Sequence, residues 1–334
     1  MRHLLYLVIS SIIISSCKSP KEPVLVKFMG EAQGTYYAIT YFDVDARNFQ
    51  PQVDSLLQEF DHSVSLWDTG SLITAINRNK TGIQPDPVFT ELFKKSTVVF
   101  NKSDGAFDPT VGPLVNAWGF GFSDRMKVDQ HVVDSLLPLV DFNNIRLEND
   151  AVYKSDPRIQ LDFNAIAQGY AVDLIAQLFD DKGIKNFLID IGGEVLSKGR
   201  KTNGEYWKVG IEKPKDNAGY GEGLQAIVQL EDRALATSGN YRKFYEENGV
   251  RYSHTIDPAT GYPVKHTLLS ASVLAGDCAT ADAWATVFMV MGLEKAKAFL
   301  AEQNELEGYF IYTAENGDLN VFFTNGFLKI LVEE

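Results

Sequence analysis

Residues 158–195, "RIQLDFNAIAQGYAVDLIAQLFDDKGIKNFLIDIGGEV", change their hydrophobic spacing twice, and these changes decide the fold class. The spacing predicts a strand that ends at Asp162, a helix over residues 165–179 and, after a short turn, a second strand over residues 186–195. Asp162 therefore lies where a strand leads into a helix N-terminus, a position that either caps the helix or binds a phosphate. The chain thus combines strands with helices.

The first half of the chain contains a predicted hairpin and two predicted helices. Strand-like runs flank Gly30 and Gly34, so these glycines mark a turn or a close approach of the backbone. Apolar residues then recur at helical spacing in "QPQVDSLLQEFDHSVSLWD" and again in "DPVFTELFKKSTVVFNKSDG", where the helix is expected to end at Asp104 and Gly105. The following "AFDPTVGPLVNAWGFGF" is rich in Gly, Pro and aromatic residues, so we expect neither a regular helix nor a central strand there.

The N-terminus has the features of an export signal. A basic start, an apolar run over residues 4–14 and small residues precede Cys17, and "ISSC" resembles a bacterial lipobox. We therefore expect a signal peptide over residues 1–16, a lipidated tether over residues 17–24 and one domain over residues 25–334. The alternatives are an ordinary signal peptide with an unrelated cysteine, or a membrane anchor, although the run is shorter than the roughly 20 residues that span a bilayer.

Composition restricts the class of protein. The 334 residues are 45% hydrophobic and 22% charged, enough for one large domain or two closely packed lobes. The net charge of −13 argues against a nucleic-acid partner. If Cys17 is acylated, Cys278 is the one remaining thiol, so the domain has no internal disulfide and depends on its core.

His254 is the candidate acid or base of the C-terminal third. Two strands are predicted around Asn248 and Gly249, followed by the loop "DPATGYPV". His254 lies at the end of the second strand, three residues before Asp257. A histidine in such a polar loop can reach a ligand and has an intrinsic pKa near neutrality, whereas the alternative is a purely structural side chain.

Polar side chains interrupt the apolar helix predicted in "CATADAWATVFMVMG" over residues 278–292. Asp282 and Thr286 are four residues apart and so lie on one face, where two hard oxygens suit Mg²⁺. In the alternative, Thr280 caps the helix, Asp282 favours its positive N-terminal end, and the Thr286 hydroxyl bonds a backbone carbonyl. By spacing alone, the alternative ranks first.

Seven segments match a known family in order along nearly the whole mature chain. They are "QGTYY", "SDGAFDPTVGPLVNAWGFG", "LDFNAIAQGYAVD", "DIGGEV", "SGNYRKF", "YSHTIDPATGYPV" and "CATADAWAT". On these segments the chain resembles the ApbE family, the FAD:protein FMN transferases. The resemblance implies an α+β, T-fold-like domain in which helices flank antiparallel-rich sheets. FAD would lie in a cleft between two lobes formed by the two halves of the chain.

The resemblance also implies the roles of particular residues. Asp282, Thr286 and the backbone carbonyl of Ala165 would bind Mg²⁺. Some relatives have an acid before the threonine, where this chain has Ala285, so the number of metal ions is left open. Trp67, or an aromatic residue near it, would stack on a ring of the ligand. The implied flavin contacts are Gln33, Trp67, Ala106, Phe107, Asp108, Asp162, Gln168 and Ile256.

The reaction implied by the resemblance is phosphoryl-type transfer at the FAD pyrophosphate. A Thr or Ser hydroxyl of an acceptor protein would attack the FMN phosphorus and release AMP, with His254 as the base and Asp257 orienting it. Acceptors in this family include subunits of NADH:quinone reductase and Rnf-type complexes. A lipid anchor at Cys17 would hold the enzyme at the periplasmic face of the inner or the outer membrane.

Three other functions share parts of this pattern. Hydrolysis of FAD to FMN and AMP would use the same groups with water as the acceptor. A non-enzymatic flavin-binding lipoprotein would keep the flavin pocket but would not need the metal pair or His254. A solute-binding transport lipoprotein would have the same kind of export signal and a similar size, but the ordered family segments favour this function least.

Overall fold

The computed structural model describes residues 21–121, 126–214, 223–240, 244–247 and 250–332, with side chains outside residues 244–253. The predicted signal peptide and Cys17 lie outside the described residues. Val24, the last residue of the predicted tether, already belongs to the first strand. No helix among the described residues is both long and apolar enough to cross a membrane.

Strands and helices alternate along the described chain. The strands are β1 Val24–Ala32, β2 Thr35–Asp43, β3 Ile145–Glu148, β4 Ala151–Lys154, β5 Phe187–Ile191, β6 Glu194–Lys198, β7 Trp207–Glu212, β8 Leu224–Leu230, β9 Arg233–Gly239, β10 Phe244–Glu247, β11 Val250–Ser253, β12 Leu268–Ala275, β13 Glu307–Thr313 and β14 Leu319–Phe323. The α-helices are α1 Gln50–Val64, α2 Leu72–Asn77, α3 Pro87–Lys102, α4 Gly112–Ala117, α5 Gln130–Leu136, α6 Asn164–Asp181, α7 Cys278–Met291, α8 Leu293–Ala301 and α9 Asn325–Leu328.

One eight-stranded sheet organises the domain. Its strand order is β1-β2-β5-β6-β9-β12-β13-β14, and each pairing of neighbouring strands is antiparallel. Strand alternation gives the sheet two faces, so Ala234 and Ala236 of β9 join the main core with α6 and α7, whereas Leu235 joins a second core with β7, β8 and α9. The expectation of an α+β fold with antiparallel sheets and flanking helices is confirmed.

The predicted hairpin is β1 and β2, and its two glycines have different tasks. Gln33 and Gly34 form a two-residue turn in which both have positive φ, 53° and 73°. Both central residues of a type I′ turn need such angles, and its twist matches that of the strands. Gly30 instead lies under Tyr37, whose ring would overlap any Cβ at that position.

The amphipathic helices predicted in the first half are α1 and α3. Asp86 caps α3 by accepting a hydrogen bond from the Phe89 N–H at 2.8 Å, and Pro87 follows at the first helical position. The buried face of α1 includes Val53, Leu57 and Phe60. Both helices therefore follow from local apolar spacing together with local start signals.

The predicted strand ending at Asp162 is wrong, although its apolar residues are buried. The backbone of Leu161 pairs with an amide side chain: its N–H donates to Asn77 Oδ1 at 2.7 Å, and its carbonyl accepts from Asn77 Nδ2 at 2.8 Å. The N–H of Asp162 donates to the Pro109 carbonyl at 2.7 Å. These bonds replace a strand partner, so the segment stays extended outside any sheet.

The second predicted strand, residues 186–195, is a hairpin. Gly192 and Gly193 form the turn between β5 and β6, with φ angles of 60° and 111°. A continuous strand was predicted because the apolar residues on both sides of the glycines keep the same spacing. The two strands predicted around Asn248 and Gly249 are β10 and β11, which pair with each other.

Candidate active site

A cavity of about 690 Å³ lies against the turns of two hairpins. Gln33 and Thr35 line it from the β1–β2 turn, and Gly192 and Gly193 line it from the β5–β6 turn. Strands β7 and β9 contribute further walls. Both halves of the chain therefore meet here, and three predicted site residues lie together in the lining: Gln33, Gln168 and His254.

Two buried polar atoms in this wall have no hydrogen-bond partner within the described chain. They are Gln33 Nε2 and Thr35 Oγ1, on either side of Gly34. A buried donor left without a partner costs about 1–3 kcal/mol, and most buried polar groups in folded proteins are paired. A polar ligand in the cavity would supply the partners that these two atoms lack.

Gln168 holds the second turn in place. Its Nε2 donates to the Ile191 carbonyl at 2.8 Å, directly before the glycine pair. A Cβ at Gly192 would overlap Gln168 Nε2 and lie 2.7 Å from Thr35 Cγ2, so only glycine fits between these two side chains. Gln168 therefore fixes the cavity wall, in addition to any contact with a ligand.

Asp190 is a cavity residue that was not among the predicted site residues. Its carboxylate accepts hydrogen bonds from Gly193 N–H at 2.9 Å and from Tyr36 Oη at 3.2 Å. Burial raises the pKa of this carboxyl above its usual value. The available sequence signal was an acid immediately before "IGG", but a strand residue with alternating burial resembles many others until the turn closes over it.

Helix α6 presents three residues at four-residue spacing to α7. Gly169 has no side chain, and a Cβ there would lie 2.7 Å from the carbonyl carbon of Cys278, so the helices cross in close contact. The Gly169 N–H donates to Asp282 Oδ2 at 3.0 Å. In a regular helix this N–H is also the partner of the Ala165 carbonyl, so that carbonyl and the Asp282 carboxylate both face the Gly169 N–H.

The third residue on this face of α6 is Asp173, which receives the N-terminus of α7. Its two carboxylate oxygens accept hydrogen bonds from the N–H groups of Cys278 at 2.7 Å and Ala279 at 2.9 Å. Such N–H groups have no partner within their own helix. Asp173 thus fixes the register of α7 against α6, and with it the position of Asp282 relative to Ala165.

The polar residues of α7 do not have the roles that the alternative without a metal ion assigned to them. Asp277, not Thr280, caps the helix: Asp277 Oδ1 accepts from the Thr280 N–H at 3.1 Å, and the Thr280 hydroxyl donates to Asp277 Oδ2 at 2.7 Å. Asp282 is 8% exposed, and burial raises its pKa to about 7. Within the described chain the Thr286 hydroxyl makes no hydrogen bond, so it is not satisfied by a backbone carbonyl.

The donor set at this helix crossing fits a hard cation. It comprises a buried carboxylate with one hydrogen-bonded oxygen, a neighbouring carbonyl and a hydroxyl one turn along. Among the described residues there is no group of three or more His, Cys, Asp or Glu side chains that could hold a metal. A cation here would therefore complete its shell with water or with oxygens of the substrate.

Several other predicted flavin contacts form a separate group at the N-terminus of α6. Asp162 Oδ1 accepts from the Asn164 N–H at 2.8 Å, and burial raises the Asp162 pKa. Asp108 is already engaged by the Thr110 N–H and hydroxyl at 2.7 and 2.6 Å and by the Phe142 N–H at 3.2 Å. Burial also raises the pKa of Asp108. Phe107 is a core residue, and Ala106 is half-buried beside it.

The remaining predicted residues are more dispersed. Trp67 is 73% exposed on the loop between α1 and α2, so its ring is accessible but not part of the cavity. Ile256 packs into a small core with Trp118, which leaves its backbone rather than its side chain for a ligand. Asp257 Oδ1 accepts from the Ala259 N–H at 2.9 Å and so stabilises its own turn. Its role in orienting His254 stays a prediction.

Comparison with known proteins gives one consistent result. The model of the ApbE family matches residues 33–310. The FAD:protein FMN transferase of Vibrio cholerae serotype O1 is 34% identical over 326 residues, covering 95% of this chain and 96% of the relative. That of Haemophilus influenzae is 32% identical, covering 91% and 90%.

Solved structures agree with these relatives. The flavin transferase ApbE from Vibrio cholerae superposes with a TM-score of 0.82 at 32% identity, covering 92% of this chain and 100% of that one. The apo form of the Pseudomonas stutzeri flavinyl transferase ApbE gives 0.83 at 30% identity, covering 92% and 97%. The similarity thus extends over 92% of the chain.

Proposed function

Because this chain belongs to the ApbE family, we propose that it transfers FMN from FAD to an acceptor protein. The observation that carries the proposal is that the family match, residues 33–310, contains both the cavity with two unpartnered buried donors and the hard-oxygen site at the α6–α7 crossing. The first suits a flavin nucleotide and the second a cation that binds phosphate. The relatives named above are FAD:protein FMN transferases, and the matches to this chain cover 96% and 90% of their lengths.

The cation is proposed to be Mg²⁺, held by Asp282, Thr286 and the Ala165 carbonyl. When bound, it would neutralise the negative charge of the substrate phosphates. The chain itself supplies the frame: Gly169 and Asp173 of α6 hold α7 in register, and burial keeps competing water away from the Asp282 carboxylate. An acidic protein would otherwise repel a dinucleotide from this site.

The acceptor group is proposed to be a Thr or Ser hydroxyl. Its oxygen forms the new bond to the FMN phosphorus, the bond between that phosphorus and the bridging oxygen breaks, and AMP leaves with the bridging oxygen. His254 lines the cavity with its ring centroid 6.4 Å from that of Phe120, and it accepts the proton from the hydroxyl. Hydrolysis of FAD would use the same arrangement with water in place of the hydroxyl.

The proposal is tested with the domain starting at Lys18, FAD, Mg²⁺ and a candidate acceptor carrying an exposed Thr. We expect the intact mass of the acceptor to rise by one FMN, with one AMP released for each acceptor modified. AMP and free FMN with no mass change would identify a hydrolase or an unsuitable acceptor. Intact FAD after incubation would contradict an enzymatic function and favour a binding protein.

His254→Ala is expected to retain FAD affinity and lose about 100-fold or more in the rate of transfer, because a positioned base contributes roughly 10²–10⁴-fold. Flavin fluorescence measures binding, and AMP release measures the rate. Replacement of the exposed His131 by alanine is the matched control and should change neither quantity. An unchanged rate in His254→Ala would return this residue to a structural role.

Membrane anchoring is proposed from the sequence before residue 21. A diacylated or triacylated Cys17 would hold the enzyme at the periplasmic face, where redox subunits of the NADH:quinone reductase or Rnf type would serve as acceptors. We expect wild-type protein to incorporate labelled palmitate and to sediment with membranes. Cys17→Ala should do neither, and equal labelling of both would contradict lipidation at this position.

A further inference from the structure

The charge of the cavity wall is unfavourable for a phosphorylated ligand. Of the described residues that line it, Asp190, Glu194 and Glu212 are acids. Lys208 is the one lysine or arginine among those described lining residues. A dinucleotide with a diphosphate carries two negative charges into this space, so a positive group on the wall would offset its repulsion by the three acids.

Strand β7 places Lys208 on the wall. The strand pairs with β8 in a two-stranded sheet, where Lys208 is opposite Gln229. Its neighbour Trp207 is 2% exposed, whereas Lys208 is exposed on the cavity side. Because side chains alternate along a strand, Lys208 and Glu212 are on one face, and the Leu224 side chain packs over Gly210 between them.

The ammonium group of Lys208 is available to a ligand. Within the described chain it makes no hydrogen bond and no ion pair. Nearby lysines differ in this respect: Lys198 pairs with Asp180 at 2.5 Å, and Lys201 pairs with Glu205 at 3.4 Å. A lysine without an ion-pair partner on a wall with three acids supplies positive charge to a ligand that enters the cavity.

We propose that Lys208 binds a phosphate of the dinucleotide substrate and selects phosphorylated flavins over uncharged ones. The inference rests on the proposed function, because it takes a flavin dinucleotide as the ligand. A lysine suits this task because its ammonium is a compact charge on a flexible stem, which can follow a phosphate without the fixed geometry of a guanidinium. Gln33 and Thr35 at the opposite turn remain for the uncharged part of the ligand.

The test measures dissociation constants of FAD, FMN and riboflavin by flavin fluorescence for the wild-type domain, Lys208→Met and Lys208→Arg. We expect Lys208→Met to weaken FAD and FMN about tenfold, as for loss of one hydrogen bond to a charged group, and to leave riboflavin unchanged. Lys208→Arg should retain FAD affinity within about threefold. Lys27→Met, another exposed strand lysine, is the matched control and should bind all three flavins like the wild type.

Two results would overturn the proposal in different ways. If Lys208→Met binds all three flavins as the wild type does, or loses all three equally, Lys208 does not recognise phosphate and the proposed function is unaffected. If the wild-type domain binds none of the three flavins, the proposed function fails and the role of Lys208 fails with it. Retained phosphate selectivity in Lys208→Arg together with its loss in Lys208→Met supports recognition by charge.

Discussion

Asp282→Asn should lower the Mg²⁺-dependent rate of FMN transfer by at least about 100-fold while the protein stays folded. A metal supplies several kcal/mol of charge stabilisation in phosphoryl chemistry, and each 1.4 kcal/mol is a factor of ten in rate. Asparagine keeps an oxygen that can accept the Gly169 N–H, so the helix crossing is preserved. AMP release at saturating Mg²⁺ measures the effect, and wild-type activity at trace metal would contradict the metal site.

The same substitution should change the pH dependence of stability. Burial raises the folded-state pKa of Asp282 to about 7, above the unfolded value of about 3.9. Between these values the folded state keeps a proton that the unfolded state has released, so the metal-free protein loses stability as the pH rises from about 4 to about 7. Asp282→Asn lacks this contribution. Its melting temperature should therefore fall less than that of the wild type between pH 5 and pH 8.

Mg²⁺ provides the complementary measurement. Added at pH 8, it should raise the melting temperature of the wild type, because a ligand of the folded state stabilises it, and leave Asp282→Asn unchanged. Asp181→Asn, an exposed acid at the end of α6, is the matched control and should respond to Mg²⁺ like the wild type. An equal Mg²⁺ response in both variants would place the cation elsewhere.

Gly169→Ala is expected to destabilise the domain by about 1–3 kcal/mol, the usual cost of overpacking a core. A Cβ would lie 2.7 Å from the carbonyl carbon of Cys278 and 2.8 Å from Asp282 Cβ, so backbone must move. Alanine by itself favours a helix over glycine by about 1 kcal/mol, so a net loss measures the contact between the helices. Mg²⁺ affinity should fall as well, since the Ala165 carbonyl and Asp282 move apart.

Gly276→Ala is the matched control for this substitution. Gly276 precedes α7 and does not have positive φ, and no atom lies within 4 Å of the position that a Cβ would take there. The melting temperature and Mg²⁺ affinity of this variant should match those of the wild type. A Gly169→Ala protein as stable as the wild type would show that α6 and α7 do not require close contact.

Helices α1, α3, α6 and α7 were predictable because their signals are local, whereas the expectation of no regular helix in "AFDPTVGPLVNAWGFGF" was wrong, since α4 begins there at Gly112 and Pro113. In α1 and α3, apolar residues such as Leu57 and Phe89 recur at a spacing set by the helical repeat, and Asp86 with Pro87 marks the start of α3. The β1–β2 turn was also local, since Gly34 accommodates a positive φ. The ordered family segments added the metal and flavin residues, which spacing alone did not favour.

Contacts that form only in the folded chain determined features that local hydrophobic spacing did not predict. Leu161 has the apolar spacing of a strand, but Asn77, 84 residues earlier, bonds its backbone and keeps it out of the sheet. Local spacing favoured Thr280 as the helix cap. It could not show that the Asp277 carboxylate accepts a hydrogen bond from the Thr280 hydroxyl and caps the helix instead. Asp190 likewise became a cavity residue only when the Gly192–Gly193 turn folded over its carboxylate.

Four of the helices, the first hairpin and the family could be read from the sequence, because each depends on residues close together in the chain or on their order. The arrangement of the site depends on contacts that form only in the folded chain. Asp282 meets Gly169 across 113 residues, and Asp173 meets Cys278 across 105. No local periodicity encodes such a contact, because it exists only after the core has brought α6 and α7 together and burial has removed water from their polar groups.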